Sequence, residues 1–153
     1  MRKAHWLQLT TEDFADLDPE KTIAVLPIAA IEQHGPHLAV STDTIIGQGM
    51  VDTVIAKLPE DLSALFLPVQ SVGKSNEHIR SPGTITYTAE TAQRVWTEIG
   101  ESVARAGLRK LVIHLARRQR RHDAGRGART ARELPDAGGD HGLALRRAEG
   151  TVL

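Results

Sequence analysis

Two carboxylates and an imidazole follow a short apolar stretch, and together they have the chemistry of a metal site. Glu32 and His34 lie two residues apart, so in an extended chain both side chains project to the same side. Asp43 follows a Gly-Pro turn and could reach back to the same ion. Carboxylate and imidazole ligands without thiolate suit zinc, manganese or a related divalent cation.

The apolar stretch is the element that must position these ligands. Residues 23–28 are almost continuously apolar and include β-branched side chains, a pattern typical of a strand buried on both faces. After the ligand motif, residues 43–58 have apolar side chains at helical spacing, which predicts a helix. These side chains are Ile45, Ile46, Met50, Val54 and Leu58. The other predicted elements are a short helix within 7–18, a helix at 88–106, and strands at 65–69 and 109–114. This alternation predicts an α/β fold, a mostly parallel sheet flanked by helices, with ligands gathered at the carboxyl ends of the strands.

Each candidate ligand also has a simpler interpretation. Asp43 or Thr42 could do no more than cap the helix that begins there, and Glu32 and His34 could be exposed loop residues. Taken one at a time, these simpler roles are the favoured ones. The order of the whole segment changes that balance.

The segment from Glu32 to Leu38, Glu-Gln-His-Gly-Pro-His-Leu, followed by Thr42-Asp43, resembles the signature of the creatininase (creatinine amidohydrolase) family. The resemblance implies a hydrolase that acts on small amides and holds two divalent ions, Zn²⁺ or Mn²⁺. It implies that Glu32, His34 and Asp43 are metal ligands, with Asp43 bridging the two ions. Family members are also expected to assemble as homo-oligomers.

A polar loop at residues 73–83 extends the resemblance. Glu77-His78 and the later Pro-Gly-Thr match a family loop that contributes to the substrate pocket. Ser75 and His78 are therefore candidate substrate-binding residues, and the alternative is that they are solvated polar groups of a loop. His37, beside the ligand motif, is a candidate for contact with a ligand rather than with the ion.

Composition limits the class of protein. The chain has 153 residues, room for one domain, and a formal net charge of zero, which does not favour nucleic acid or a membrane surface as a partner. There is no cysteine, and no apolar run is long enough to span a membrane. We expect a cytoplasmic protein with a small amide as substrate.

The composition changes abruptly at residue 115. Nine of the 14 arginines lie in the last 39 residues, which contain no isoleucine, no aromatic residue and one valine. The basic run at residues 117–121 could contact nucleic acid, or the segment could be a solvated tail rich in Arg, Gly and Ala.

A shift of reading frame explains more of this tail. Residues 115–120 can be encoded by CTC GCA CGG CGG CAA CGT, and with AA placed in front the same letters read Asn-Ser-His-Gly-Gly-Asn. The resemblance implies such a motif after this strand, with its histidine completing the metal site. We hypothesise that residues 115–153 are out of frame and disordered, and that residues 1–114 form a domain truncated after about the third strand.

The function predicted for the intact family type is that of a metal-dependent amidohydrolase. It would hydrolyse a C–N bond of a small cyclic or linear amide through a metal-activated water. The alternative is that this truncated chain is an inactive, non-enzymatic metal-binding or interaction fragment. Nucleic-acid binding through the tail is a further alternative, and the zero net charge counts against it.

Overall fold

The computed structural model describes residues 3–115 and 129–133. Its helices are α1 (Thr11–Ala15), α2 (Thr42–Lys57) and α3 (Ala89–Arg105), and its strands are β1 (Ile23–Ile28), β2 (Ala64–Phe66), β3 (Lys110–Leu115) and β4 (Arg129–Glu133). Two short 3-10 helices lie at Trp6–Gln8 and Asn76–His78.

The strands form one sheet in the order β2-β1-β3-β4. β1 is central and pairs in parallel with β2 on one side and β3 on the other, with Ile23 opposite both Ala64 and Lys110. The α/β prediction is confirmed: three parallel strands are flanked by helices. β2 is shorter than the predicted strand at 65–69. The Leu67 N–H still donates to the Val25 carbonyl, but the next donor to β1 is the Gln70 N–H, which bonds the Pro27 carbonyl, so one extra residue interrupts the ladder and leaves an isolated bridge between Ile28 and Gln70.

β4 adds an antiparallel strand to the far edge of β3. It lies within the segment that the composition sets apart, so the sheet continues beyond the third strand by one short element. The prediction that residues 115–153 are disordered falls mainly on residues 116–128 and 134–153, which lie outside the described residues. The frameshift hypothesis and the domain boundary stay predictions.

β1 supplies both cores of the molecule, as its apolar run predicts. Its alternate residues Ala24, Leu26 and Ile28 are buried and pack in a cluster with Val103 and Leu108. Val25 points to the opposite face, into a second cluster formed around Val51, Ala64 and Phe66. A strand covered on both faces needs apolar residues at successive positions, which is what residues 23–28 provide.

Local capping explains where two of the helices begin. α1 has a capping box: the Thr10 hydroxyl accepts from the Asp13 backbone N–H at 3.4 Å, and the Asp13 carboxylate accepts from the Thr10 N–H at 2.6 Å. α3 begins after Thr88, whose hydroxyl accepts from the Thr91 N–H at 3.1 Å. Gly107, with φ of 90°, ends α3 in the left-handed conformation that glycine adopts at low cost.

α2 forms where the helical spacing predicts it, but it buries a different face. Its buried residues are Asp43, Gly47 and Val51. The apolar residues Ile45, Ile46, Met50 and Val54 are instead between 43% and 64% exposed. Of the five residues that suggest the helix, only Leu58 packs in a core cluster.

Within the part of the chain that the structure describes, no helix has the length and apolar character needed to cross a bilayer.

Candidate metal centre

The segment that follows β1 is held on both sides. On one side it meets the end of the polar loop, where the Ile85 N–H donates to the Ile31 carbonyl at 2.9 Å and the Gln33 N–H donates to the Thr84 hydroxyl at 3.2 Å. On the other side the Glu32 N–H donates to the Val40 carbonyl at 3.0 Å. These bonds fix the backbone of the ligand motif without using a ligand side chain.

The three predicted ligands come together. Glu32, His34 and Asp43 each offer one ligand atom, and these atoms all lie within 4.8 Å of one another. Glu32 and Asp43 are buried and His34 is partly buried, with side chains 6%, 9% and 20% exposed. Two carboxylates so close together and so removed from water are stabilised by a cation or a proton between them.

The backbone sets the tautomer of His34. Its Nδ1 lies 2.9 Å from the Glu32 carbonyl oxygen, and because a carbonyl only accepts, Nδ1 carries the hydrogen. In the neutral ring Nε2 then has a lone pair, and it lies 3.3 Å from Asp43 Oδ1. Two acceptors at that distance are stable only with a proton or a metal cation between them.

The same contacts raise the pKa of His34 above its ordinary value. The largest cause is the hydrogen bond to the Glu32 backbone carbonyl, and the negative charges of Asp43 and Glu32 add to it, while burial acts in the opposite direction. Where no cation is bound, a proton on Nε2 therefore stabilises the negative charges of Asp43 and Glu32, as a metal ion would.

Asp43 lies in the first turn of α2, turned toward His34. The N-cap residue of α2 is Ser41, and Asp43 Oδ2 is buried and accepts no hydrogen bond from the residues that the structure describes. The Thr44 hydroxyl donates to the Ala30 carbonyl at 3.0 Å, which ties this turn to the ligand segment. A capping role for Asp43 therefore does not account for the position of this side chain. A bound cation would satisfy its buried, unpaired oxygen.

The donor set fits a divalent metal ion. Two carboxylates and one imidazole nitrogen are oxygen and nitrogen donors, which zinc and manganese both accept. The unsatisfied Asp43 oxygen and the lone pair of His34 Nε2 both belong to this group.

The polar loop packs against the end of the ligand strand and brings one further predicted residue, His78, close to this centre. Gly73 approaches the end of β1 so closely that a Cβ there would lie 2.6 Å from the Ala29 carbonyl oxygen. Ser75 is fully buried, and its hydroxyl forms no hydrogen bond with the described residues. His78 places Nε2 3.7 Å from Glu32 Oε1. His37 is exposed in the turn after the ligand motif.

The sequence does not single out Gln33, which the structure places in this network. Its side-chain Nε2 lies 3.0 Å from His78 Nδ1, and its Oε1 accepts from the Gly35 N–H at 2.9 Å. The one sequence signal for Gln33 is its place between Glu32 and His34.

The model of the family Creatininase (creatinine amidohydrolase) matches residues 7–116. The chain belongs to the creatininase family. The match takes in all three ligands and the whole polar loop, so the resemblance in the ligand motif reflects membership.

Creatininase-family relatives with curated descriptions are much longer than this chain. A mycofactocin precursor peptide peptidase of Mycobacterium tuberculosis is 41% identical over 86 residues, which cover 52% of this chain and 34% of that protein. A creatinine amidohydrolase of Pseudomonas putida is 29% identical over 96 residues, which cover 60% of this chain and 35% of that protein. The chain thus spans about a third of the length of these relatives.

Solved creatininase structures share the fold. A creatininase mutant of the Zn-Zn type aligns with a TM-score of 0.63 at 25% identity, over 74% of this chain and 45% of that one. A manganese creatininase aligns with a TM-score of 0.62 at 26% identity, over 73% of this chain and 44% of that one. Zinc and manganese, the ions that the donor set favours, are those named for these two proteins.

Proposed function

We propose that this chain carries the metal-binding part of an amidohydrolase that cleaves a C–N bond in a small amide. The observation that carries the proposal is the convergence of Glu32, His34 and Asp43 within 4.8 Å after the central strand. Membership in a family of hydrolases supplies the reaction class. Bound divalent ions supply Lewis acidity toward a water molecule and a carbonyl group.

The residues of this chain would hold and orient that chemistry. His34 offers Nε2 because its Nδ1–H is engaged by the Glu32 carbonyl, and Asp43 has a carboxylate oxygen still to be satisfied. In the proposed site Asp43 would be the ligand shared by the two ions, and Ser75 and His78 would border the substrate on the loop side. Both loop residues are part of a segment fastened to the ligand strand, which limits their movement.

The substrate class within the family is a small cyclic amide or a peptide. The M. tuberculosis relative is a peptide peptidase and the P. putida relative a creatinine amidohydrolase, so both kinds of amide belong in the assay. Cytoplasmic location and assembly with further copies of the chain stay expectations from the resemblance.

Zinc binding by the full chain tests the proposal. Titration against a chromophoric chelator should show binding, and Asp43→Asn should weaken it by more than about 100-fold, because changes that only touch a ligand already cost 10–100-fold. Asp52→Asn is the matched control: it makes the same change in the same helix on a side chain that is 57% exposed, and zinc binding should stay unchanged.

Turnover is measured on the same samples with creatinine and with a short peptide. Hydrolysis that Asp43→Asn abolishes and Asp52→Asn preserves is the expected result. Equal zinc affinity of the wild type and Asp43→Asn would contradict the assigned centre.

Metal binding without turnover is the second candidate function. It is favoured by one observation, that the match covers only about a third of each relative's length, so the whole relatives' activity is not carried over by the matched part alone. Stoichiometric zinc binding that Asp43→Asn weakens, with no hydrolysis of either probe, would select this candidate over the enzyme.

A further inference from the structure

Gln33 lies at the centre of a chain of contacts that ends on a metal ligand. Its amide oxygen accepts from the Gly35 backbone N–H at 2.9 Å, and its amide nitrogen lies 3.0 Å from His78 Nδ1. The other ring nitrogen of His78 is 3.7 Å from Glu32 Oε1. A backbone group is thereby linked, through two side chains, to the carboxylate that is to hold the ion.

The direction of each contact follows from the first. A backbone N–H only donates, so the Gln33 oxygen must face Gly35 and its NH₂ group must face His78. The amide then donates to His78 Nδ1, which must be the unprotonated nitrogen. The hydrogen of the neutral ring is left on Nε2, the nitrogen that lies nearest to Glu32.

The ring is also held in place from its own backbone. The His78 N–H donates to the Ser75 carbonyl at 2.9 Å, which forms the short 3-10 helix, and the Ser81 N–H donates to the His78 carbonyl at 2.9 Å. With its backbone held and Nδ1 hydrogen-bonded to Gln33, His78 has little freedom to turn Nε2 away from Glu32 Oε1, which lies 3.7 Å from it. A ring N–H that points toward a carboxylate stabilises the charged form and its orientation.

We infer that Gln33 is a positioning residue, which fixes His78 as the Nε2–H tautomer against Glu32 and so orients this carboxylate for the ion. The inference rests on the proposed metal site. It assigns His78 a role on a ligand, in addition to its place beside the substrate. The Gly35 N–H thereby influences the orientation of Glu32 through Gln33 and His78, and no group changes its charge.

The tautomer itself is the first measurement. In the full chain, ¹⁵N shifts of the His78 ring should show the hydrogen on Nε2. Gln33→Met keeps the length of the side chain but cannot donate, so His78 should become a mixture of tautomers. Gln33→Glu can only accept from Nδ1, so Nδ1 should carry a hydrogen in this variant. A merely structural role for Gln33 would not make the position of the ring hydrogen depend on whether residue 33 donates or accepts.

Zinc affinity is the second measurement. Gln33→Met should weaken zinc binding by about 10–100-fold, the range for groups that act through a metal ligand. Gln48→Met is the matched control, since Gln48 bonds only Asp52 on the exposed side of α2, and it should leave both the His78 tautomer and the affinity unchanged. Circular dichroism verifies that each variant is folded.

Two results would overturn the inference separately from the proposed function. If the wild type binds zinc but its His78 hydrogen lies on Nδ1, or if Gln33→Met binds zinc as tightly as the wild type, Gln33 is not a positioning residue and the metal site stands. If the wild type binds no zinc, the proposed function fails and the positioning role fails with it.

Discussion

The two long helices of the molecule use their sequences in opposite ways. α3 buries Ala92, Gly100 and Val103, and Val103 packs with Trp96 and Ile99 in the cluster around β1, so its apolar side faces the core. α2 buries Asp43, Gly47 and Val51 and leaves a row of apolar side chains in solvent. α3 is held by apolar packing, whereas α2 combines packing at Val51 with polar contacts in its first turn.

The polar contacts of the first turn of α2 agree with the packing of Val51 on the rotation of the helix about its axis. The Asp43 side chain faces His34 and the Thr44 hydroxyl is bonded to the Ala30 carbonyl, so positions four apart from Asp43 face the sheet. Ile46 precedes Gly47 by one residue and is rotated by about 100° from it. The row that Ile46 begins, with Met50 and Val54, is therefore turned away from the core.

Valine-to-alanine changes on the two helices should separate them most clearly. Val103→Ala removes two methyl groups from a site that is 1% exposed, and we expect a loss of about 2 kcal/mol in the free energy of unfolding. Val54→Ala makes the same change at a position 45% exposed and should cost less than about 0.5 kcal/mol. Urea unfolding of both variants measures the difference. Equal losses in the free energy of unfolding would mean that α2 buries the row formed by Ile46, Met50 and Val54.

Caps should give the next largest difference. The Thr88 hydroxyl accepts a backbone hydrogen bond at the start of α3, so Thr88→Ala should destabilise the protein by about 1 kcal/mol. Ser41 occupies the same position of α2 without such a bond, so Ser41→Ala should have an effect near zero. If Ser41→Ala lowers the thermal stability more than Thr88→Ala does, the proposed difference between the N-terminal caps of α2 and α3 is wrong.

The smallest expected effect is that of acid on the stability that Glu90 contributes at the start of α3. Hydrogen bonds from its own backbone N–H and from the Thr88 side chain lower the pKa of Glu90 below its ordinary value of 4.5. A lowered pKa in the folded state adds stability that is present above pH 4.5 and is lost as the pH falls through the folded-state pKa.

The stability difference between the wild type and Glu90→Gln should therefore shrink on acidification through that range. Glu101→Gln, which removes a carboxylate far from the start of α3, controls for net charge. A difference that stays constant with pH would show that Glu90 contributes nothing as an anion.

The sequence predicts what depends on short segments, and this covers most of the sheet and half of the site. β1 is found at residues 23–28 as predicted, since a run of apolar residues can be satisfied only between two packed faces. Glu32, His34 and Asp43 converge because a turn and one helix turn separate them, and the family resemblance names all three. Their proximity is thus predictable from 12 consecutive residues.

Features that depend on distant segments are not predictable in the same way. α2 has two apolar rows, and helical spacing alone does not say which one is buried. The buried row is the one in line with Asp43, which contacts His34, and it includes Val51, which packs in a core cluster. The Gln33–His78 contact joins residues 45 positions apart, and nothing in the pattern around Gln33 indicates it. β4 is set in a segment whose composition does not suggest a strand.

Four exposed apolar side chains on α2 belong to a chain whose formal charge at pH 7 is zero. Molecules without net charge do not repel one another, so at high concentration short-range attraction between such rows is unopposed. Acidification adds positive charge to a chain that is neutral at pH 7, which restores repulsion. Colloidal solubility should therefore pass through a minimum near neutral pH, at protein concentrations and pH values where the fold itself is unaffected.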